Sequence, residues 1–105
     1  MSIFLSDSDY QRTADETLAG LQQKLDTCLD ALDWETHGDI LYIYFEDGEK
    51  VVINKQPPLH QLWFASKEVG KQFAWTGKDW DDVRGGGTLN ATMQQLLQRK
   101  GIDTW

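Results

Sequence analysis

Asp15, Asp26, Asp30 and Asp33 are the side chains of this chain best placed by type and spacing to do chemistry. Tyr10, Ala14, Leu18, Leu21, Leu25, Cys28, Leu29 and Leu32 recur in steps of three or four. That spacing predicts one amphipathic helix ending near Asp30–Asp33. At about 100° per residue, the four aspartates then fall within roughly 60° of one another. Acids four apart on a helix repel by about 0.2–0.5 kcal/mol, and no base on that stripe offsets the cost. Oxygen-only ligands suit hard cations such as Ca²⁺, Mg²⁺, Mn²⁺ and ferric iron, with ferrous iron acceptable. A ridge on a convex face cannot surround an ion, so binding is expected to be weak, largely hydrated and poorly selective. The plainer reading, an acidic face that only solubilises, stands beside it.

The other reactive residues carry less. His37 lies in a predicted turn beside Asp39 and could add a nitrogen ligand, but a lone histidine is ordinarily solvated. His60 follows Pro57-Pro58 at a strand start, which suits a structural or partner-contact role. Asp79-x-Asp81-Asp82 lacks the glycine and glutamate of a calcium loop and reads as strand-end charge. Arg84-Gly85-Gly86-Gly87 lacks the Gly-Lys-Ser/Thr ending of a phosphate loop and reads as a connector. Cys28 is the only cysteine, which excludes an internal disulfide and a cysteine-built metal cage. It reads as a small, half-buried apolar residue. Glycosidase chemistry needs paired carboxyls in a cleft, one with a raised pKa, and a helix ridge offers neither.

A second surface follows from alternation. Around the Pro57-Pro58 break, period two puts Ile53, Leu62 and Phe64 on one face of a sheet and Asn54, Gln61 and Trp63 on the other. A tryptophan framed by amides on an open face marks a recognition surface, because exposed aromatics concentrate binding energy. The structural alternative folds the indole against Tyr42 and Tyr44. Trp75 and Trp80 are expected to pack the sheet edge and loops, and Trp105 to end a loose tail.

Charge is unevenly spread. Residues 1–49 hold twelve acids against Arg12 and Lys24, a balance of −10, whereas residues 50–105 balance at +3. This disfavours nucleic acid, which needs a basic footprint, and favours cations or a basic protein surface. No apolar stretch is long enough to span a bilayer. Met1–Ser6 lacks the basic and apolar regions of a signal peptide, so a bacterial cytoplasmic location is expected.

These residues need a scaffold. Ser6–Asp9 offers cap side chains for the first helix, with Ser8 and Gln11 fitting a capping box. Strands are predicted at Asp33–Thr36, Ile40–Glu46, Lys50–Asn54, Gln61–Ser66, Lys71–Trp75 and Asp79–Val83. Short links, among them Asp47-Gly48, imply antiparallel neighbours. Thr88 can cap a second helix, Leu89–Arg99, that ends at Gly101. The 105 residues form one domain. The predicted class is α+β: a two-layer α/β sandwich in which an antiparallel five- to six-stranded sheet carries both helices on one face.

Ile53-Asn54-Lys55-Gln56-Pro57, Gln61-Leu62-Trp63 and Trp75-Thr76-Gly77-Lys78-x-Trp80 resemble the signature of the frataxin family. Pro58-Leu59-His60-Gln61 is similar to a run of its bacterial CyaY-type members, and Ala14-Asp15-Glu16-Thr17-Leu18 to the family's first helix. The resemblance covers about residues 7–98 in register. It implies a frataxin-like fold and a role in iron–sulfur cluster assembly, as an iron-binding regulator and iron chaperone. It implies iron, ferrous or ferric, held weakly and exchangeably on an acidic ridge to which Asp15, Glu16, Asp26, Asp30, Asp33 and Glu35 carry over. It implies docking on the cysteine desulfurase and its scaffold, through a sheet surface to which Asn54, Gln61 and Trp63 carry over. In bacterial members the effect is chiefly an iron-linked brake. Gln22, Gln23 and Thr27 depart from the pattern, standing where relatives often place acids. The expected state is a monomer without enzymatic activity, and iron-driven oligomers stay open. A ferroxidase or iron store, and a metal-independent acidic interaction module, are the competing readings.

Overall fold

The computed structural model describes Phe4 and residues 6–103. The readings of Met1–Ser6 as an unprocessed start and of Trp105 as a tail fall largely or wholly outside the described residues. Helix α1 spans Asp7–Leu25, followed by a 3₁₀ turn at Asp26–Cys28. Strands β1 Leu32–His37, β2 Ile40–Phe45, β3 Lys50–Gln56, β4 Gln61–Ala65, β5 Gly70–Trp75 and β6 Trp80–Asp82 come next, and then helix α2 Leu89–Arg99. The strands lie in the sheet in chain order, every neighbouring pair antiparallel. This is the predicted α+β sandwich, with six strands.

Alternation decides what each layer buries. Leu41 and Ile43 of β2, Val51 and Ile53 of β3, Leu62 of β4 and Phe73 of β5 are at most 1% exposed. They face Tyr10, Ala14, Leu21 and Leu25 of α1 and Met93 and Leu97 of α2 in one core. The β2–β3 hairpin closes at Asp47-Gly48, where Gly48 sits at φ 91°, a conformation that a side chain strains. Asp47 Oδ1 accepts from the Glu49 N–H at 2.9 Å and fixes that turn. Among the described residues no helix is long and apolar enough to cross a membrane.

Two expectations about α1 are corrected. Its N-cap is Ser6, whose hydroxyl accepts from the Asp9 N–H at 3.1 Å, and Ser8 is already helical. Its C-terminal end falls at Leu25, well before Asp30–Asp33. Asp26-Thr27-Cys28 are weak helix formers, and Thr27 Oγ1 donates to the Lys24 carbonyl at 2.6 Å, competing with the helical ladder. Leu25 and Cys28 stay buried, but Leu29 turns out and is 54% exposed. Cys28 is thus more deeply buried than expected.

Candidate functional site

The early end of α1 divides the predicted ridge. Asp15 and Glu16 remain on the helix, Asp26 lies in the 3₁₀ turn, Asp30 in the following turn, and Asp33 and Glu35 on β1. The four aspartates therefore do not form one helical stripe. Eleven residues separate Asp15 from Asp26, about 16 Å along a helix, and the two ends have different surroundings.

Around Asp15 the charge is already answered. Lys55 Nζ lies 2.6 Å from Asp15 Oδ1 and 3.1 Å from Asp39 Oδ1, and it donates to Gln11 Oε1 at 3.2 Å. The Lys55 side chain is 10% exposed. Burial alone would push its pKa down, but the hydrogen bonds to the two aspartates together outweigh it and hold the ammonium above the ordinary lysine range. Glu16 lines a different part of the surface, a depression that Lys24 and Lys78 also border.

At the α1–β1 corner no lysine or arginine among the described residues forms an ion pair with the acids. Asp26 Oδ1 accepts from the Trp34 indole N–H at 2.9 Å, and Asp33 Oδ1 from the Trp34 backbone N–H at 2.9 Å. Glu35 Oε1 accepts from the Tyr44 hydroxyl at 2.8 Å and lies 3.2 Å from His37 Nε2. The Tyr44 hydrogen bond, then that from His37, hold the Glu35 carboxyl below its ordinary range, and the same bond raises Tyr44. Asp30 and Asp33 line a shallow depression with Leu29, Tyr44 and Glu46. Strand pairing brings Tyr42 opposite Glu35 and Tyr44 opposite Asp33. Among the described residues, no three His, Cys, Asp or Glu side chains are grouped closely enough to hold a metal ion between them. The donor set fits hydrated, outer-sphere contact with a hard cation.

The corner adjoins the open face of the sheet. Asn54 stands directly across from Trp63, which stands across from Gln72. All three are half-buried, as is Gln61. The Trp63 indole N–H donates to Gln61 Oε1 at 2.8 Å, which fixes the ring over its own strand. It does not fold against the tyrosines, because β3 lies between. Tyr42 and Tyr44 stack on each other instead, ring centroids 6.3 Å apart and 11° from parallel. Trp63 is three strands from Glu35, about 14 Å at the spacing of sheet strands.

The histidines separate. His60, in the left-handed region at φ 52°, stacks on Tyr10 at 4.9 Å and pairs with Asp7 at 2.7 Å. Its role here is to hold α1 to the β3–β4 link. Trp80 is buried, donates to Thr17 Oγ1 at 2.8 Å and packs on Trp75. Sequence reasoning missed Lys55 as the partner of Asp15, and Tyr44 with Glu46 as neighbours of the corner. The Glu35–Tyr44 bond follows from the β1–β2 register; the Lys55 pair carries no local signal.

Comparison with known proteins agrees with this architecture. Residues 3–102 match the model of the Frataxin-like domain. An iron–sulfur cluster assembly protein CyaY from Pseudoalteromonas atlantica is 42% identical over 82 residues, covering 78% of this chain and 76% of that protein. One from Shewanella baltica is 32% identical over 101 residues, covering 92% and 93%. The solved frataxin of Psychromonas ingrahamii superposes with a TM-score of 0.84 at 27% identity, covering 95% of this chain and 96% of that one. Trimeric frataxin from the yeast Saccharomyces cerevisiae, complexed with ferrous iron, shares the fold at a TM-score of 0.75 and 23% identity, over 95% and 89%. The chain belongs to the frataxin family, with the bacterial CyaY-type iron–sulfur cluster assembly proteins.

Proposed function

We propose that this protein is a non-enzymatic, iron-binding regulator of iron–sulfur cluster assembly that docks on the cysteine desulfurase and its scaffold. The α1–β1 corner carries the reading. Asp26, Asp30, Asp33 and Glu35 stand together there without a lysine or arginine partner among the described residues. Such a corner attracts hydrated cations and basic protein surfaces alike. Asp15 and Glu16 join it only at longer range, since Lys55 neutralises the first and the second faces elsewhere. Asn54, Gln61 and Trp63 supply the scaffold contact, with Trp63 as the aromatic anchor. Iron is cargo here, and cytoplasmic assembly machinery the setting.

An anaerobic ferrous titration followed by amide shifts, with magnesium at matched ionic strength, tests the iron part. Broadening at Asp26, Asp30, Asp33 and Glu35 that magnesium does not reproduce is expected. Identical changes with both ions would leave the second reading, an acidic docking module without an iron role. That reading has its own support, because Asp26 and Glu35 already accept hydrogen bonds from Trp34 and Tyr44. A ferroxidase would need a di-iron centre with Glu and Glu-x-x-His ligands inside a bundle, which this architecture does not provide. Iron-dependent oxygen uptake at catalytic turnover would overturn the non-enzymatic assignment.

A further inference from the structure

On the outer face of β1 and β2, three donor atoms of different kinds converge on one point. The Tyr44 hydroxyl lies 2.8 Å, and His37 Nε2 3.2 Å, from the same oxygen, Oε1 of Glu35. Alternation puts Glu35 and His37 on one face of β1, and strand pairing brings Tyr44 beside them. Ligand atoms about 2.0–2.2 Å from a metal and at right angles to one another stand about 3 Å apart. Both separations at Glu35 therefore match neighbouring positions of a coordination shell. The gaps are bridged here by the proton of the phenol and, in its donor tautomer, that of the imidazole, and a cation can take the place of both. Glu35 and His37 form no group of three with another His, Cys, Asp or Glu among the described residues. The third donor is a phenol.

Charge and donor type select the cation. Asp33 stands directly across from Tyr44 in the β1–β2 register. A Tyr44 phenolate with the Glu35 and Asp33 carboxylates would carry three negative charges, which suits a trivalent ion. Phenolate and carboxylate oxygens are hard donors, and imidazole also serves iron. Metal ligands bind deprotonated, so a strongly acidic trivalent ion can displace the phenol proton, whereas magnesium polarises it too weakly. Lys50 stands across from Tyr44 on β3, but its ammonium lies over the Tyr42 ring, 5.7 Å from the centroid, and pairs with neither carboxylate. Glu35, His37 and Tyr44 are all exposed, so water can complete the shell and a chelated ion can reach it.

We propose that Tyr44, Glu35 and His37 bind ferric iron directly, as a phenolate site distinct from the hydrated ferrous contact of the carboxylates. The choice of iron rests on the iron-binding reading above. On binding, the Tyr44 O–H bond breaks, an Fe–O bond forms and the proton passes to water, with no electron transferred. His37 gives its Nε2 lone pair in the neutral form, its proton on Nδ1.

The purified full chain is titrated with ferric nitrilotriacetate and followed by visible absorption. A phenolate on ferric iron gives a ligand-to-metal charge-transfer band that carboxylate and water ligands do not. A saturable band is expected in the parent and in Tyr42→Phe, and its loss in Tyr44→Phe. Tyr10, the third tyrosine, is buried with its hydroxyl between Gln61 and Gln56. His37→Gln should weaken ferric binding at least about 10-fold, the scale set by losing even an outer partner of a metal ligand. Tyr44 and His37 are surface residues, so both variants should keep the fold, which amide spectra check. No band in the parent, a band that survives in Tyr44→Phe, or unchanged affinity in His37→Gln would each overturn the proposal. The anaerobic ferrous titration is read separately. Ferrous broadening without a ferric band would sink this site and leave the iron-binding regulator standing. A ferric band lost in Tyr44→Phe, without iron-specific ferrous broadening, would keep this site and remove the ferrous part of that reading.

Discussion

The two ends of α1 carry acids of the same kind in opposite circumstances. At the N-terminal half the charges hold the fold: Asp7 pairs with His60, and Asp15 shares the nearly buried Lys55 with Asp39. Tyr10 donates to the Gln61 carbonyl at 2.7 Å and accepts from the Gln56 N–H at 3.1 Å. At the C-terminal end, among the described residues, Asp26, Asp33 and Glu35 meet only neutral donors and His37, and Asp30 makes no hydrogen bond or ion pair. The same device recurs at the far end of the sheet, where Lys100 gathers Asp47 and Glu49 and ties the β2–β3 hairpin to α2. Among the described residues, Lys55 and Lys100 each join two elements through a pair of acids, and no lysine or arginine forms an ion pair with the acids of the α1–β1 corner. Asp26, Asp33 and Glu35 are held by neutral donors and His37 of their own corner, and on the proposed reading the complement of their charge is a cation or a basic partner surface.

Removing that complementarity should have the largest effect. Asp30→Lys with Asp33→Lys should weaken binding to the cysteine desulfurase about 100-fold, near tenfold per reversed charge, and less at high salt. The thermal midpoint should hardly move. Titration at two ionic strengths checks both statements, and undiminished binding would end the idea that the corner is a docking surface.

Tyr10→Phe tests the anchored end. It leaves a half-buried carbonyl and a half-buried N–H each without the tyrosine, and should cost about 1–2 kcal/mol in denaturant unfolding. Burial, partly opposed by the Gln56 hydrogen bond, raises the Tyr10 pKa from 10.0 to about 12. The unfolded chain therefore ionises first, and the tyrosine's contribution, complete below pH 10, is lost as pH climbs toward 12. The phenylalanine variant should show a shallower alkaline loss than the parent.

Lys55→Met makes the first acidic group resemble the second. Asp15 and Asp39 are 60% and 56% exposed, so solvent screens the lost pair and the cost should be about 1 kcal/mol. Manganese broadening should then appear at Asp15 and Asp39, where the parent shows little. If it does not, the lysine is not what distinguishes the two ends.

Tyr44→Phe should have the smallest effect. Glu35 is held below its ordinary 4.5 by the Tyr44 hydroxyl. Its contribution is present above that ordinary value and is lost as pH falls through the lowered one. Without the hydroxyl, the Glu35 carboxyl should titrate closer to 4.5, which a carboxyl-carbon titration reads directly.

Much of this was legible in the residues. Alternation in Leu41–Phe45 and in Gln61–Ala65 assigns the buried and open faces correctly. Asp47-Gly48 marks its hairpin, and Thr88 caps α2 with its hydroxyl 3.0 Å from the Ala91 N–H. The end of α1 was misread because Leu29 and Leu32 continue the helical spacing by coincidence; one turns to solvent and the other begins β1. Cys28 falls in the 3₁₀ turn beyond α1 rather than on the helix, and it is deeper than half-buried, at 2% exposure. The acids of the corner were all named from sequence, but as a helical stripe, whereas a turn and a strand bring them together.

What the sequence determined by itself is what depends on neighbours a few residues away: element order, the faces of strands and helices, the hairpin turns, and the excess of acid in the first half. Period and turn chemistry are local, so they survive being read one residue after another. What only the tertiary structure decided is which charges meet. Lys55 and Asp15 are 40 residues apart, Lys100 and Asp47 53 apart, and nothing in the local pattern pairs them. Those encounters follow from strand register and from how α1 and α2 settle on the sheet. They decide that one set of carboxylates is spent on ion pairs that hold the fold, while among the described residues the other, at the α1–β1 corner, forms none with lysine or arginine.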